Sequence, residues 1–142
     1  MPSGNSVAAY VLERLFSLTA DNYWQSVSEK QMSFLAGGIS TYPAGYSFSL
    51  LAMTRILYDS KNLICILENA ETEKELTRFL KDKSGQPIDT LVINPENADD
   101  VESISPFVKQ YPKDGKTTFY VCKNKACFPP VHDFKAMTQL LQ

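Results

Sequence analysis

The chain is poor in the residues from which most redox, metal and acid–base sites are built, with three cysteines and one histidine among 142 residues. Cysteines so few and odd in number do not make a disulfide framework, and they fit reduced thiols in a cytoplasm. Charge of one sign is lacking as well. Fourteen basic residues against sixteen acidic ones leave a net charge of -2, with no block of like charges to attract nucleic acid or an anionic membrane surface. No long apolar run is present: a membrane span needs roughly 20 mostly apolar residues, and the best candidate, Tyr42 to Tyr58, is shorter and carries Arg55. No Lys or Arg precedes the first apolar stretch, so no signal peptide is expected. The expectations are a cytoplasmic protein with neither nucleic acid nor membrane as partner.

What is present is an ordinary globular composition, 44% hydrophobic and 21% charged, enough for a real core. Up to about residue 60 the apolar period is helical. Val7, Val11, Leu15 and Leu18, joined by Ala8 and Leu12, form one stripe, and Ser3, Gly4, Asn5 and Ser6 upstream are capping residue types. A second helix is expected through Trp24, Val27, Gln31, Phe34 and Leu35, with Thr19 or Asp21 as cap and Gly37-Gly38 as stop. The short connection predicts an antiparallel hairpin. A third helix is expected from Pro43 to about Tyr58, apolar nearly all round and therefore in need of burial on most sides.

Beyond Lys61 the pattern alternates. "NLICIL" and "DTLVIN" read as buried strands and "KTTFYVC" as a third. Between the first two lies "ETEKELTRFLKDKSG", a helix with capping-box spacing at Thr72 and Glu75 and a stop at Gly85. "ADDVESISPFVKQY" is a helix that Pro106 should break after Ser105, and "DFKAMTQLL" is a closing helix capped by Asp133. Strands separated by helices predict a small, mostly parallel sheet. The fold class expected is α+β, a helical segment over residues 1–60 packed beside an α/β lobe over residues 61–142. The apolar third helix, and a Met1 that directly precedes a capping loop, lead us to expect either a longer parent chain or a partner on the helical face.

Two stretches carry a resemblance. "PSGNSVAAYVLERLFSLTAD", residues 2–21, and "FYVCKNKACFPPV", residues 119–131, resemble segments of the spermatogenesis-associated, thioredoxin-domain-containing proteins and their bacterial relatives, in the family's order. The resemblance implies a parent with a thioredoxin-like domain and a six-hairpin α/α barrel like those of carbohydrate-processing enzymes. Residues 1–60 would be the last barrel helices and residues 61–142 the C-terminal lobe. The partners it implies are the remainder of the chain's own longer polypeptide and, for the isolated piece, a second copy.

Each candidate site has a plain alternative. Ser3, Asn5 and Ser6 could face sugar hydroxyls at a barrel mouth, or cap a helix. Tyr42 and Tyr46, in "YPAGYS", could be stacking platforms for a sugar, or core residues beside a proline-initiated helix start. Sugar hydrolysis wants paired carboxylates, and Glu13, Asp21, Glu29 and Asp59 form no convincing pair, so no catalytic residue is assigned. Cys122 and Cys127 are not spaced as a thioredoxin-like dithiol. With His132, and with Cys65 or Asp133 as a fourth ligand, they make at best an irregular zinc set. Small buried thiols are the expectation for the pair, and a disulfide across a turn at Lys123–Lys125 is the alternative. No metal and no cofactor are expected. The function expected is that of a non-catalytic portion of a larger protein of uncertain activity, the alternative being a share in a carbohydrate-binding or isomerase- or glycosidase-like site completed by the rest of the barrel.

Overall fold

The computed structural model describes residues 1–58, 60–83, 88–123 and 126–142, and the chain divides into two compact units, Met1–Asp59 and Ser60–Gln142. Helices and a mixed four-stranded sheet make the class α+β.

In the first unit the capping residues fix the helices. The first, α1 (Gly4–Thr19), starts where the Ser3 side chain accepts from the Ser6 amide, and stops at Ala20, which is left-handed (φ 55°) and donates to the Phe16 carbonyl. Asp21, rather than Thr19, caps α2 (Asn22–Thr41) by accepting from the Tyr23 amide at 2.8 Å. Thr19 instead donates back to the Leu15 carbonyl. The expected stop at Gly37-Gly38 does not occur, because α2 runs through both glycines to Thr41. Gly38 is there for space: a Cβ would lie 2.4 Å from Cζ of Tyr46. Pro43 opens a 3-10 turn, Pro43–Tyr46, and only then does α3 (Ser47–Leu57) begin.

The core of this unit is Ala9, Leu35, Ile39 and Ala52, with Tyr10, Met32, Tyr46 and Leu50 against it. Burial of α3 departs from expectation. The residues it buries are Ser49, Ala52 and Arg55, a helical stripe of small and polar side chains that lets α1 come close. Arg55 lies with its guanidinium 5.5 Å from the centre of the Tyr10 ring, a cation–π contact that offsets part of its desolvation. Phe48 and Leu50 are half-buried beside that stripe, and three other large apolar residues point the other way: Leu51, Ile56 and Leu57 are 51%, 47% and 64% exposed.

The second unit is a sheet in the order β2-β1-β3-β4. β1 (Lys61–Ile66) and β2 (Ile88–Ile93) run parallel, with α4 (Ala70–Asp82) between them in the chain. The cap of α4 is Asn69, whose side chain accepts from the Thr72 amide, so the capping box expected at Thr72 and Glu75 is displaced upstream. The expected stop at Gly85 lies outside the described residues. Pro106 does break the next helix, leaving α5 (Ala98–Ile104) and a 3-10 turn, Pro106–Gln110.

The strand pairing corrects the expected strand direction. β3 (Thr118–Lys123) is antiparallel to β1, with Thr118 beside Ile66, and β2 also ends beside Ile66, so the connection from β2 to β3 starts and finishes at one end of the sheet. A parallel return would have to carry the chain back to the Lys61–Ile88 end of the sheet, whereas the segment through α5 and the 3-10 turn re-enters at the end where β2 finishes. The sheet is therefore mixed rather than mostly parallel. Register sorts its faces. Leu63, Cys65, Phe119 and Val121 pack with Leu76 of α4 and with Met137 and Leu141; Met137 belongs to α6 (Phe134–Leu140), which Asp133 caps as expected by accepting from the Ala136 amide. Ile64, Ile66, Ile93, Tyr120 and Cys122 pack with Val108, Val101 and Tyr111 on the other side.

Candidate functional site

In the helical unit the residues expected near a sugar are mostly occupied by the fold. Ser3 is the cap of α1, and its hydroxyl lies 2.8 Å from that of Ser6. Ser6 is buried and accepts from the Ser49 hydroxyl, also buried, at 2.8 Å. Asn5 is exposed, and its carbonyl accepts from the Gln31 side chain. Tyr46 is half-buried with its ring against Gly38, whereas Tyr42 is 64% exposed with one edge of its ring against Gly45. Tyr42, Asn5 and the capping Ser3 are thus the exposed members of the set. Of the carboxylates, Glu13 is half-buried rather than on an open polar face, and accepts from Ser28 at 3.0 Å; Asp21 is a helix cap; Asp59 lies outside the described residues.

The sulfur chemistry lies in the second unit, and it is not a pair of buried thiols. Cys122 on β3 and Cys127 on β4 (Ala126–Cys127) form a disulfide, and Cys65 is the free, buried cysteine on the opposite face of the sheet. Register is the cause. Lys123 pairs with Ala126 and Cys122 with Cys127, and the Phe128 amide donates to the Val121 carbonyl at 2.9 Å. Cys122 and Cys127 therefore occupy a non-hydrogen-bonded position between two hydrogen-bonded ones, where cross-strand side chains approach most closely. The expected turn through Asn124 and Lys125 lies outside the described residues.

Beyond Phe128 the pairing shifts by one residue. Phe119 and Val131 exchange both backbone hydrogen bonds, at 2.8 and 3.0 Å, so Pro129 and Pro130 together face Tyr120 in a bulge. Prolines, which have no amide proton to place in a ladder, are tolerated at such a position on an edge.

Tyr111 completes the arrangement. Its hydroxyl lies 3.5 Å from Sγ of Cys127 and 3.9 Å from Sγ of Cys122, and its ring is braced by Tyr120 and Phe107, with centroids 4.5 and 6.4 Å away. Burial pushes the Tyr111 phenol above its ordinary value, with a hydrogen bond from Gln110 working the other way. The hydroxyl is therefore protonated and able to donate. Across the sheet the same row continues from Cys127 and Cys122 to Asn62 and Asp89. Asp89 is 2% exposed. Neither Tyr111 nor Asp89 stood out in the sequence. Asp89 could have been found by parity, since it has the spacing of the inward-facing Leu91 and Ile93 in "DTLVIN".

The zinc set does not assemble. Two of its sulfurs are bonded to each other, Cys65 is in the other core, and Nδ1 of His132 is 3.2 Å from both the Thr118 hydroxyl and the Thr117 carbonyl. Among the described residues no group of three or more His, Cys, Asp or Glu could hold a metal ion, and no helix is long and apolar enough to cross a membrane. No family model, curated protein or solved structure matches the chain.

Proposed function

We propose that the chain is a non-catalytic portion of a larger thioredoxin-like, α/α-barrel protein, cytoplasmic, whose helical unit exists to pack against further helices of the same polypeptide. The observation that carries this reading is the inverted burial of α3, which turns Ser49, Ala52 and Arg55 inward and leaves Leu51, Ile56 and Leu57 at 51%, 47% and 64% exposure. A helix that presents three large apolar side chains to water has an unfilled demand for burial. The resemblance of residues 2–21 and 119–131 supports the same identity for the missing neighbour. With that neighbour absent, a second copy takes its place, so the isolated chain self-associates through this face. Sedimentation velocity across a concentration series checks it. Association that Leu51→Glu with Leu57→Glu abolishes, with helical circular dichroism retained, supports the reading; a wild-type chain that stays monomeric at every concentration overturns it.

One observation favours the second reading, a share in a carbohydrate site: Tyr42 is 64% exposed beside the exposed Pro43–Gly45 turn. An aromatic face of this kind can stack on a sugar ring. A thermal shift with monosaccharides that Tyr42→Ala and Asn5→Ala both remove supports it. No shift with any sugar in the full-length protein counts against it.

A further inference from the structure

The Cys122–Cys127 bond has properties that a purely structural staple does not require. It joins unequal partners: Cys122 is 6% exposed and part of a core cluster, while Cys127 is exposed on a two-residue edge strand. An incoming thiolate can therefore reach one sulfur far more easily than the other, and thiol–disulfide exchange follows access and the quality of the leaving group. The leaving sulfur is also provided for, because the Tyr111 hydroxyl is within 3.9 Å of Sγ of Cys122.

We propose that Cys122–Cys127 is a reversible thiol–disulfide exchange site, opened at Cys127 and completed by dithiol rather than monothiol reductants. In the first step a thiolate attacks Sγ of Cys127, forming a mixed disulfide there and expelling Cys122 as a thiolate. The Tyr111 hydroxyl donates a hydrogen bond to that thiolate until it takes a proton from water. In the second step the other thiol of the reductant, as thiolate, attacks its own sulfur in the mixed disulfide, so that the reductant leaves as a cyclic disulfide and Cys127 leaves as a thiolate. Cys127 then also takes a proton from water, to which the dithiol has given up two, so the net transfer to the protein is two electrons and two protons.

The preference for a dithiol comes from the backbone. After the first step Cys122 is still opposite Cys127, because the Lys123–Ala126 pair and the hydrogen bond from the Phe128 amide to the Val121 carbonyl do not depend on the sulfurs. Cys122 then expels a monothiol by re-forming the original bond, an intramolecular reaction with a high effective concentration. Only a reductant carrying its own second thiol competes with that return.

The test compares dithiothreitol with glutathione on the oxidised native protein at equal total thiol, with acid quenching and intact-mass counting of alkylated cysteines. We expect dithiothreitol to free both cysteines faster than glutathione by about tenfold or more. In Cys122→Ser, exposure to oxidised glutathione should leave a stable adduct on Cys127. In Cys127→Ser the same treatment should leave Cys122 unmodified while circular dichroism shows the lobe folded. Equal rates with the two reductants, or an adduct on Cys122 rather than Cys127, would overturn the proposal. So would three free thiols in air-oxidised protein, and the wild-type comparison needs no variant to fold.

Discussion

Ser49 donates a 2.8 Å hydrogen bond to Ser6 across 43 residues of sequence, joining α3 to α1 at a position where both side chains are buried. The Ser6 oxygen is also 2.8 Å from the Ser3 hydroxyl, so a short chain of hydroxyls runs from the helix cap into the core. Ser6→Ala leaves the buried Ser49 hydroxyl without this partner, which costs about 1–3 kcal/mol, whereas Ser49→Ala leaves Ser6 its bond to Ser3 and costs less. Ser6→Ala should lower the urea midpoint clearly and Ser49→Ala by a smaller amount, and the double variant should fall short of additivity. Strict additivity would mean the two hydroxyls do not interact. Either way, loss of stability without ligand would place Ser6 in the fold rather than in a sugar site.

The two glycines of α2 should behave oppositely. Gly37 has nothing within 4 Å of a built Cβ, and neither glycine has a positive φ. Gly37→Ala should then stabilise the helical unit by about 0.5–1 kcal/mol through helix propensity. At Gly38 the new methyl would meet Cζ and the hydroxyl oxygen of Tyr46 at 2.4 Å. Overpacking of this kind costs about 1–3 kcal/mol, more than propensity returns. Gly38→Ala should lower the thermal midpoint, and adding Tyr46→Leu should recover part of the loss. Equal effects at the two positions would sink the close-approach account.

Local signals were legible and tertiary ones were not. Asp21, Asp133 and Pro106 act where the sequence puts them, because a cap or a proline needs only its own few neighbours. Gly37-Gly38 read as a stop because the reason for Gly38 is Tyr46, a ring that reaches it only in the folded unit. Strand direction was hidden for a related reason: a buried strand has the same composition whether it runs parallel or antiparallel. The disulfide depended on register. Four residues lie between Cys122 and Cys127, a spacing compatible with several turns, and only the pairing of Lys123 with Ala126 aims the two sulfurs at one another. Of the hydroxyls of "PSGNS", Ser3 caps α1, which its own neighbours signal, and Ser6 is a buried contact to Ser49, which they do not.

Cys65 gives the lobe an alkaline limit. Burial pushes its thiol far above the ordinary value of 9.0, so the folded protein holds a proton that the unfolded chain releases. The sign follows: below pH 9 both states are protonated and the contribution is intact, and above it the unfolded state is favoured increasingly as pH rises. Urea midpoints should therefore decline above pH 9. Cys65→Ala, although less stable for the cavity it leaves, should show a shallower decline. Native protein should also leave Cys65 unlabelled by iodoacetamide, since the thiolate is the nucleophile. An unchanged slope in Cys65→Ala would assign the decline to other groups, such as Tyr111 and Tyr120, whose phenols burial also raises.

Opening the disulfide should be felt locally before it is felt globally. The bond closes a short loop, and on the loop-entropy account a loop of this size contributes about 2 kcal/mol. β4 has two residues, both exposed, so once the sulfurs part it is held by the Lys123–Ala126 pair and the hydrogen bond from the Phe128 amide to the Val121 carbonyl, and it opens more often than the rest of the sheet. By contrast, Phe119 and Val131 exchange two backbone hydrogen bonds further along, and Phe119 is fully buried against Phe134 at a centroid distance of 5.0 Å. Hydrogen exchange on the reduced protein should show the Phe128 amide losing part of its protection while still exchanging well below the rate of a free amide, and the Val131 amide losing much less. Cys122→Ser with Cys127→Ser should reproduce the pattern. Equal loss at both amides would mean that the bulge at Pro129 and Pro130 does not insulate the rest of the sheet from its stapled edge.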